Sequence, residues 1–227
     1  MDRIVARVHH GRRGMPDPSD YELLEAWRNE DEGAGRELFA RYFDAVYRFF
    51  RNKVDDAAED LTQQTFMGLV QSRDRFRGDA SFRTYLFMIA RKRLYSHLRK
   101  RDRRGDAVEF GSMSVADLGI VSPSRAVAVR QEQQLLLQAL RRLPIDMQLA
   151  LELFYWEELT VTEISAVLET PVGTVKSRLQ RARTRLDGVI AELSESEDLL
   201  RSTMDNFEMW ARDLQARLVP PKPPTDG

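Results

Sequence analysis

The 227-residue sequence contains no cysteine. Disulfides, thiolate catalysis and cysteine-ligated zinc are therefore excluded, and the composition fits a reducing cytoplasm. Histidine is scarce: His9 and His10 lie side by side near the N-terminus, and His97 sits among arginines that repel a metal cation. No metal site and no cofactor are expected. No apolar run reaches bilayer-spanning length and no signal-peptide pattern opens the chain, so membrane insertion is not expected either. An excess of one charge is also missing. Lys and Arg number 35 against 36 Asp and Glu, a formal net charge of -1. Any nucleic-acid footprint must come from local segregation of charge. The chain has no carboxylate pair, nucleophile–base set or phosphate-cradling glycine loop of the kind that marks catalysis, which argues against an enzyme.

What is present is helical periodicity. Hydrophobic content is 42% and charged content 31%, and the length allows one large or two small domains. The strongest pattern is Thr160 to Leu186, TVTEISAVLETPVGTVKSRLQRARTRL. Thr160 and Glu163 have capping-box spacing, so a helix starts there, with Val161, Ile164, Val167 and Leu168 on its apolar face. Small Ser165 leaves room for a second helix. After the break at Glu169-Thr170-Pro171, Thr170 is the expected cap and Pro171 suits the first helical position. The second helix should bury Val172, Val175, Leu179, Ala182 and Leu186. At about 100° per residue, Ser177, Gln180, Arg181 and Thr184 then point outward, flanked by Lys176, Arg178, Arg183 and Arg185. Cations, an amide and hydroxyls on one face are what reads base edges and grips phosphates in a major groove. The plainer alternative is a solvated basic surface.

Residues 1–19 lack periodicity and read as a disordered leader. The helical pattern begins just after Met15, which makes that residue a candidate start. Asp20 is the expected cap of a short helix with Leu23, Leu24 and Trp27 inward. A longer helix, about Gly33 to Val54, carries the stripe Leu38, Phe39, Tyr42, Phe43, Val46, Tyr47 and Phe50. Asp55 or Asp56 should cap the next, in which Ala58, Leu61, Thr65, Phe66, Leu69 and Val70 face inward. Asp60, Gln63, Gln64 and Met67 lie outside or at the edge.

After Gly78 and Asp79 comes a long stripe of Phe82, Tyr85, Leu86, Ile89, Ala90, Leu94 and Leu98. From Arg91 to Arg104, eight basic residues stand against one acid. They lie near Phe76, Phe82, Tyr85 and Tyr95. Cations interleaved with aromatics suit a single strand whose bases stack on rings; a solvated helix end favoured by the macrodipole is the plainer reading.

Residues 105–128 lose periodicity and read as a flexible linker. Helix resumes and runs to Leu143, Pro144 breaks it, and Asp146 is the expected cap of a further helix with Leu149, Leu153, Phe154 and Trp156 inward. Beyond Leu186 the chain turns acidic, with Ile190, Leu193, Leu200, Met204, Phe207, Trp210, Leu214 and Leu218 near helical spacing. Residues 188–227 thus read as an acidic amphipathic extension. The expectation is an all-α protein of two helical domains, 20–104 and 129–187, on a tether.

Three stretches carry a family resemblance. AEDLTQQTFMGLV is similar to the AEDLVQETFLRLW-type segment of bacterial extracytoplasmic-function sigma factors, in the sigma-70 family. FRTYLFMIARKRLYSHLRKRDRR resembles that group's F-x-x-W-L-x-x-I-A-R-N-x-x-x-D-x-x-R. The stretch from LRRLPIDM to Leu186 resembles its second domain nearly throughout. The resemblance spans about Tyr21 to Leu186.

It implies a first domain that binds the clamp-helix coiled coil of core RNA polymerase's largest subunit and opens the minus-ten element. A second domain would read the minus-thirty-five element as duplex. By position, Asp60, Gln63, Gln64 and Phe66 fall in the polymerase-binding helix. Phe76, Phe82, Tyr85, Lys92, Arg93, Ser96 and Arg99 fall where the separated strand is held. Lys176, Ser177, Arg178, Gln180, Arg181 and Arg183 fall on the minus-thirty-five reading helix. The chain departs from the pattern at Gln64 (usually Glu), Tyr85 (Trp), Lys92 (Asn), Ser96 (Asp) and Glu169 (Gly). Partners would be core polymerase, promoter DNA and an anti-sigma factor. The extension could pack on the second domain, cover the basic reading helix, or bind that anti-sigma protein. The competing reading is a helix-turn-helix regulator binding operators as a dimer, which leaves the aromatic-and-arginine helix without a task.

Overall fold

The structure, a computed structural model, describes residues 17–102 and 131–194. Met15, the linker 105–128 and most of the acidic extension lie outside the described residues. Among the described residues the chain forms eight α-helices, two short 3-10 turns and no strand. The helices are α1 (Asp20–Arg28), α2 (Glu32–Arg51), α3 (Ala58–Ser72), α4 (Phe82–Asp102), α5 (Gln131–Arg141), α6 (Ile145–Tyr155), α7 (Val161–Leu168) and α8 (Val172–Leu193).

The helix starts follow local chemistry, with four corrections to the sequence reading. Ser19, not Asp20, caps α1, in a capping box with Glu22. That frees Asp20 to accept from the Tyr42 hydroxyl and to pair with Arg41 at 2.6 Å. The chain enters α3 through a 3-10 turn, Asp55–Ala57, so the cap position falls on Ala57 rather than on either aspartate. Pro144 and Pro171 occupy the cap positions of α6 and α8. Each proline starts its helix by fixing φ at a position next to or near the residue expected to cap, Asp146 and Thr170 respectively.

Helices α1 to α4 form one module, packing in order around Leu24, Leu38, Phe50, Leu69, Leu86 and Leu94. Helices α5 to α8 form a second around Leu136, Leu143, Leu149, Leu153, Ile164, Val167, Val175 and Ile190. Burying each such side chain stabilises its module by about 1.5–3 kcal/mol. Three residues expected inside are exposed: Phe43 (43%), Val70 (48%) and Val172 (38%). Val172 lies in the first turn of α8, which buries its stripe only from Val175 onward. Phe43 and Val70 line a groove between α2 and α3 with Phe39, Tyr47, Phe66 and Met67. Two helices with no third laid over them leave such a seam open.

The two modules pack against each other, chiefly α4 on α7. A polar cluster is buried where they meet. Glu152 of α6 receives hydrogen bonds from Lys53, from Asn52 at 2.7 Å and from Gln148 at 2.8 Å. Glu157 pairs with both Arg48 and Arg83, each at 2.8 Å. Burial pushes the Lys53 ammonium below the usual lysine range, against the opposing pull of Glu152.

Gly35 marks the tightest packing in the first module. A Cβ there would lie 2.7–2.8 Å from the Trp27 indole. Gly35→Ala should therefore lower stability by about 1–3 kcal/mol despite alanine's better helix propensity. Gly188 on α8 has open space around it, so Gly188→Ala should raise stability by about 0.5–1 kcal/mol. Thermal unfolding of the two variants checks this; a rise for Gly35→Ala would refute the close approach at Gly35, and a fall for Gly188→Ala the open space at Gly188.

Candidate nucleic-acid interface

The α7–turn–α8 unit is fixed by reciprocal hydrogen bonds. The Glu163 carboxylate accepts from the Thr160 amide at 2.9 Å, and the Thr160 hydroxyl accepts from the Glu163 amide at 3.3 Å. Between the helices Glu169 takes a left-handed conformation, φ 51° and ψ 45°. For a residue with a Cβ this costs about 1–2 kcal/mol. The turn is held by Thr170, whose amide donates to the Ser165 carbonyl at 3.1 Å, and by the Ser165 hydroxyl, which donates to the Thr170 carbonyl at 2.6 Å. Ser165 thus ties the turn as well as leaving room for α8, a role its small size alone did not disclose.

On α8, Val175, Leu179, Ala182 and Leu186 are buried while Lys176, Ser177, Gln180, Arg181 and Thr184 are exposed. The Arg181 Nε donates to the Ser177 carbonyl at 3.3 Å, setting the guanidinium along the helix. Of the three other arginines expected beside this face, Arg185 is exposed and two turn toward α6. Arg178 pairs with Asp146 at 3.4 Å, and the Arg183 guanidinium lies over the Phe154 and Tyr155 rings at 5.6 and 5.3 Å.

In the first module Phe76 and Tyr85 lie ring to ring, centroids 4.8 Å apart. Phe76 stands on a loop anchored by Arg28, whose guanidinium donates to the carbonyls of Arg73 (2.9 Å) and Phe76. Gly78 turns that loop at φ 80°. Phe82 is buried beneath, packed on Tyr42 at 5.5 Å and edge-on to Phe76 at 6.5 Å. Lys92 and Arg99 are exposed, and Ser96 is half-buried. Arg93 reaches across α3: a Cβ on Gly68 would meet its guanidinium at 3.0 Å.

Along α3, Asp60 and Gln63 are exposed, and Gln64 donates to Asp60 at 2.8 Å. Phe66 is nearly buried, 4.8 Å from Phe39 and 6.2 Å from Phe43, and floors the apolar groove. Met67 (53% exposed), Phe43 and Val70 join Gln63 around that groove. The sequence reading placed Phe43 and Val70 in the core; an exposed apolar position and a buried one are indistinguishable by helical spacing alone.

Several groups of α4, and Ser81 just before it, meet the second module. Ser81 and Thr84 hydroxyls donate to Glu163 at 3.0 and 3.2 Å, and Arg91 pairs with Glu169 at 3.1 Å while stacking on Tyr95. The Tyr95 hydroxyl donates to Asp146. Among the described residues no group of three or more His, Asp or Glu side chains is arranged to hold a metal, and no helix is long and apolar enough to cross a membrane.

Two family models match this architecture: sigma-70 region 2 over residues 38–104 and sigma-70 region 4 over residues 133–186. The first takes in α3, α4 and the aromatic loop; the second takes in the helix-turn-helix. The chain belongs to the sigma-70 family of RNA polymerase sigma factors, in its extracytoplasmic-function group. It is 32% identical to the RNA polymerase sigma-H factor of Pseudomonas aeruginosa, covering 77% of this chain and 95% of that protein. It is 27% identical to the sigma-E factor of Escherichia coli K12, covering 77% and 96%. Among solved structures it is similar to the sigma factor RpoE of Bartonella quintana in complex with the anti-sigma factor NepR. That match has a TM-score of 0.56 and 27% identity over 70% of this chain and 98% of that one. The fold also matches CnrH in complex with the cytosolic domain of CnrY, with a TM-score of 0.54, 21% identity, and 77% and 99% coverage. The relatives are sigma factors, so a dimeric operator-binding regulator is not favoured.

Glu163 joins the helix cap to the contact with α4. Burial alone would raise its carboxyl, but hydrogen bonds from the Thr160 amide and hydroxyl and from Ser81 and Thr84 outweigh that and hold it below the ordinary 4.5. A depressed carboxylate contributes stability that is complete above its unfolded value and is lost as pH falls through its folded value. Between about pH 5 and pH 3 the wild-type chain should therefore lose stability more steeply than Glu163→Gln, which keeps the cap geometry without titrating. Denaturant melts across that range measure it, and parallel curves would remove the effect from Glu163.

Proposed function

We propose that the chain joins core RNA polymerase and directs it to promoters by gripping DNA at two places. The exposed polar face of α8, set against its buried apolar stripe, carries this reading. Lys176, Ser177, Gln180 and Arg181 enter the major groove of the minus-thirty-five element. Arg178 and Arg183 are drawn onto that surface when they leave their α6 partners. In the first module Phe76 and Tyr85 supply rings on which an unstacked base can lie, each such contact being worth about 1–3 kcal/mol. Phe82 backs them from the core. Lys92, Arg93, Ser96 and Arg99 run along the same helix toward the strand's phosphates.

The polymerase contact is assigned to α3, with Asp60, Gln63 and Gln64 as its polar part. The groove floored by Phe66 is its apolar part, the open seam that a helical coiled coil would cover. The chain supplies recognition and strand separation; bond formation belongs to the polymerase. It acts in the cytoplasm, where polymerase and promoter DNA are. The Bartonella quintana relative is held by an anti-sigma factor, which supports such a partner here.

Run-off transcription with core polymerase and a library of promoter fragments is the direct test. The chain should start RNA at a defined subset, and no initiation on any fragment would overturn the reading. Arg181→Ala should weaken promoter binding by about 1–3 kcal/mol at one base position. Uniform weakening across sequences would make Arg181 a phosphate contact instead. Asp60→Ala should weaken association with core polymerase in a pull-down while leaving duplex binding by α8 intact; undiminished association would take Asp60 out of the contact.

A further inference from the structure

The loop that carries Phe76 is fastened to α1 by two arginines that cross. The Arg28 guanidinium donates to the Arg73 carbonyl through Nε at 3.3 Å and Nη2 at 2.9 Å, and to the Phe76 carbonyl. Its Nη1 rests on Glu25 at 2.6 Å. In the other direction, Arg73 Nη1 donates to the Trp27 carbonyl at 3.1 Å, and its guanidinium lies 5.1 Å from the Trp27 ring. Each segment thus sends a side chain to the backbone of the other. Helix α1 precedes the part of the chain that matches sigma-70 region 2, which begins at residue 38.

The contact suits a guanidinium in particular. A planar fork of donors serves two carbonyls and a carboxylate at once, whereas an ammonium reaches them from a single point. Its mount is rigid, because the neighbouring Trp27 is buried and pressed against Gly35. Beyond the clasp, the loop is held at its two ends. The Tyr85 hydroxyl donates to the Ser72 carbonyl at 3.4 Å, and the Ser81 hydroxyl accepts from the Thr84 amide at 3.2 Å. Between these points Arg75, Arg77, Gly78 and Asp79 are exposed.

We propose that Arg28 and Arg73 are positioning residues for strand capture: their clasp sets the Phe76 ring against Tyr85 before a base arrives. The inference rests on the reading of Phe76 and Tyr85 as the rings on which an unstacked base lies. A loop that must be ordered at the moment of binding loses part of the stacking energy to entropy. A loop fixed in advance keeps it. Neither arginine touches the base. Loss of the clasp therefore shows in what the protein gains from the base, and not in its hold on the strand's phosphates.

The test uses holoenzyme assembled from core RNA polymerase and the full chain. The probe is a fluorescein-labelled single-stranded oligonucleotide, the non-template strand across the minus-ten element of a promoter active in run-off transcription. It is used intact or with each base in turn replaced by an abasic site. The variants are Arg28→Lys, Arg73→Ala, Phe76→Ala and the pair Arg28→Lys with Phe76→Ala. The control is Arg36→Ala, which removes an arginine whose side chain is 74% exposed and which pairs with Glu32. Helicity and Tm are recorded for every chain.

For the wild-type chain and the control, an abasic site at the captured position should weaken binding about tenfold, the worth of one stacked base. In Phe76→Ala and in Arg28→Lys that preference should fall to about twofold, with the pair no worse than Phe76→Ala alone. Affinity for the abasic strand should not change in Arg28→Lys. Full preference for the base in Arg28→Lys, where Phe76→Ala has lost it, would overturn the proposal. So would equal weakening of the intact and abasic strands, which a merely structural arginine or a phosphate contact would give. Full preference in Phe76→Ala would overturn the assignment of the base to Phe76, and the proposal with it. Should Arg28→Lys lose helicity, Arg73→Ala removes the other half of the clasp and should reduce the preference by a smaller factor; an unreduced preference there would also overturn the proposal.

Discussion

Glu152 is buried where the two modules meet, with its two carboxylate oxygens taken up by Lys53, Asn52 and Gln148. Lys53 is itself fully buried and also donates to the Phe49 carbonyl at 2.6 Å. Arg141 then donates to Asn52 at 3.0 Å, so the cluster draws on α2 and the turn after it, α5 and α6. A buried charge pair of this kind adds little net stability, because the cost of stripping water from both ions consumes most of their attraction. Its consequence is orientation: any sliding of one module on the other leaves an ion without a partner, at about 3–5 kcal/mol. The surface between the modules therefore has one favourable register and a modest net strength.

The buried ions would regain water if the modules separated, which limits the net strength of their contact. Each module meanwhile keeps its own apolar core, with Leu86 and Leu94 in one and Leu149 and Val175 in the other.

The sequence disclosed what is local. The Thr160–Glu163 cap, the buried stripe of α8 and the exposure of Ser177, Gln180 and Arg181 follow from spacing alone. Caps were misplaced where proline set the start, because proline fixes φ whether or not a hydrogen-bonding side chain stands beside it. The inward assignment of Phe43 and Val70 failed for another reason. Periodicity reports which residues share a face and is silent on whether a third element covers it. The contacts between modules were out of reach altogether. Arg48 and Glu157 are 109 residues apart in the chain, and Lys53 and Glu152 are 99. Nothing near either member of a pair marks the other.

Glu169 shows how a departure from the family pattern acquires a physical meaning. Glycine would take the left-handed turn between α7 and α8 without strain, whereas glutamate adopts φ 51° there. Taken within the second module alone, the substitution is a loss. Its carboxylate, however, reaches Arg91 on α4 at 3.1 Å, beside Glu163 on Ser81 and Thr84. A glycine would relieve the turn and remove the carboxylate that pairs with Arg91. The strain is local to the helix-turn-helix, while the contact joins that unit to the first module. If the modules separated, the contact would be lost while the strain persisted, so the side chain favours their packing by whatever the pair with Arg91 is worth.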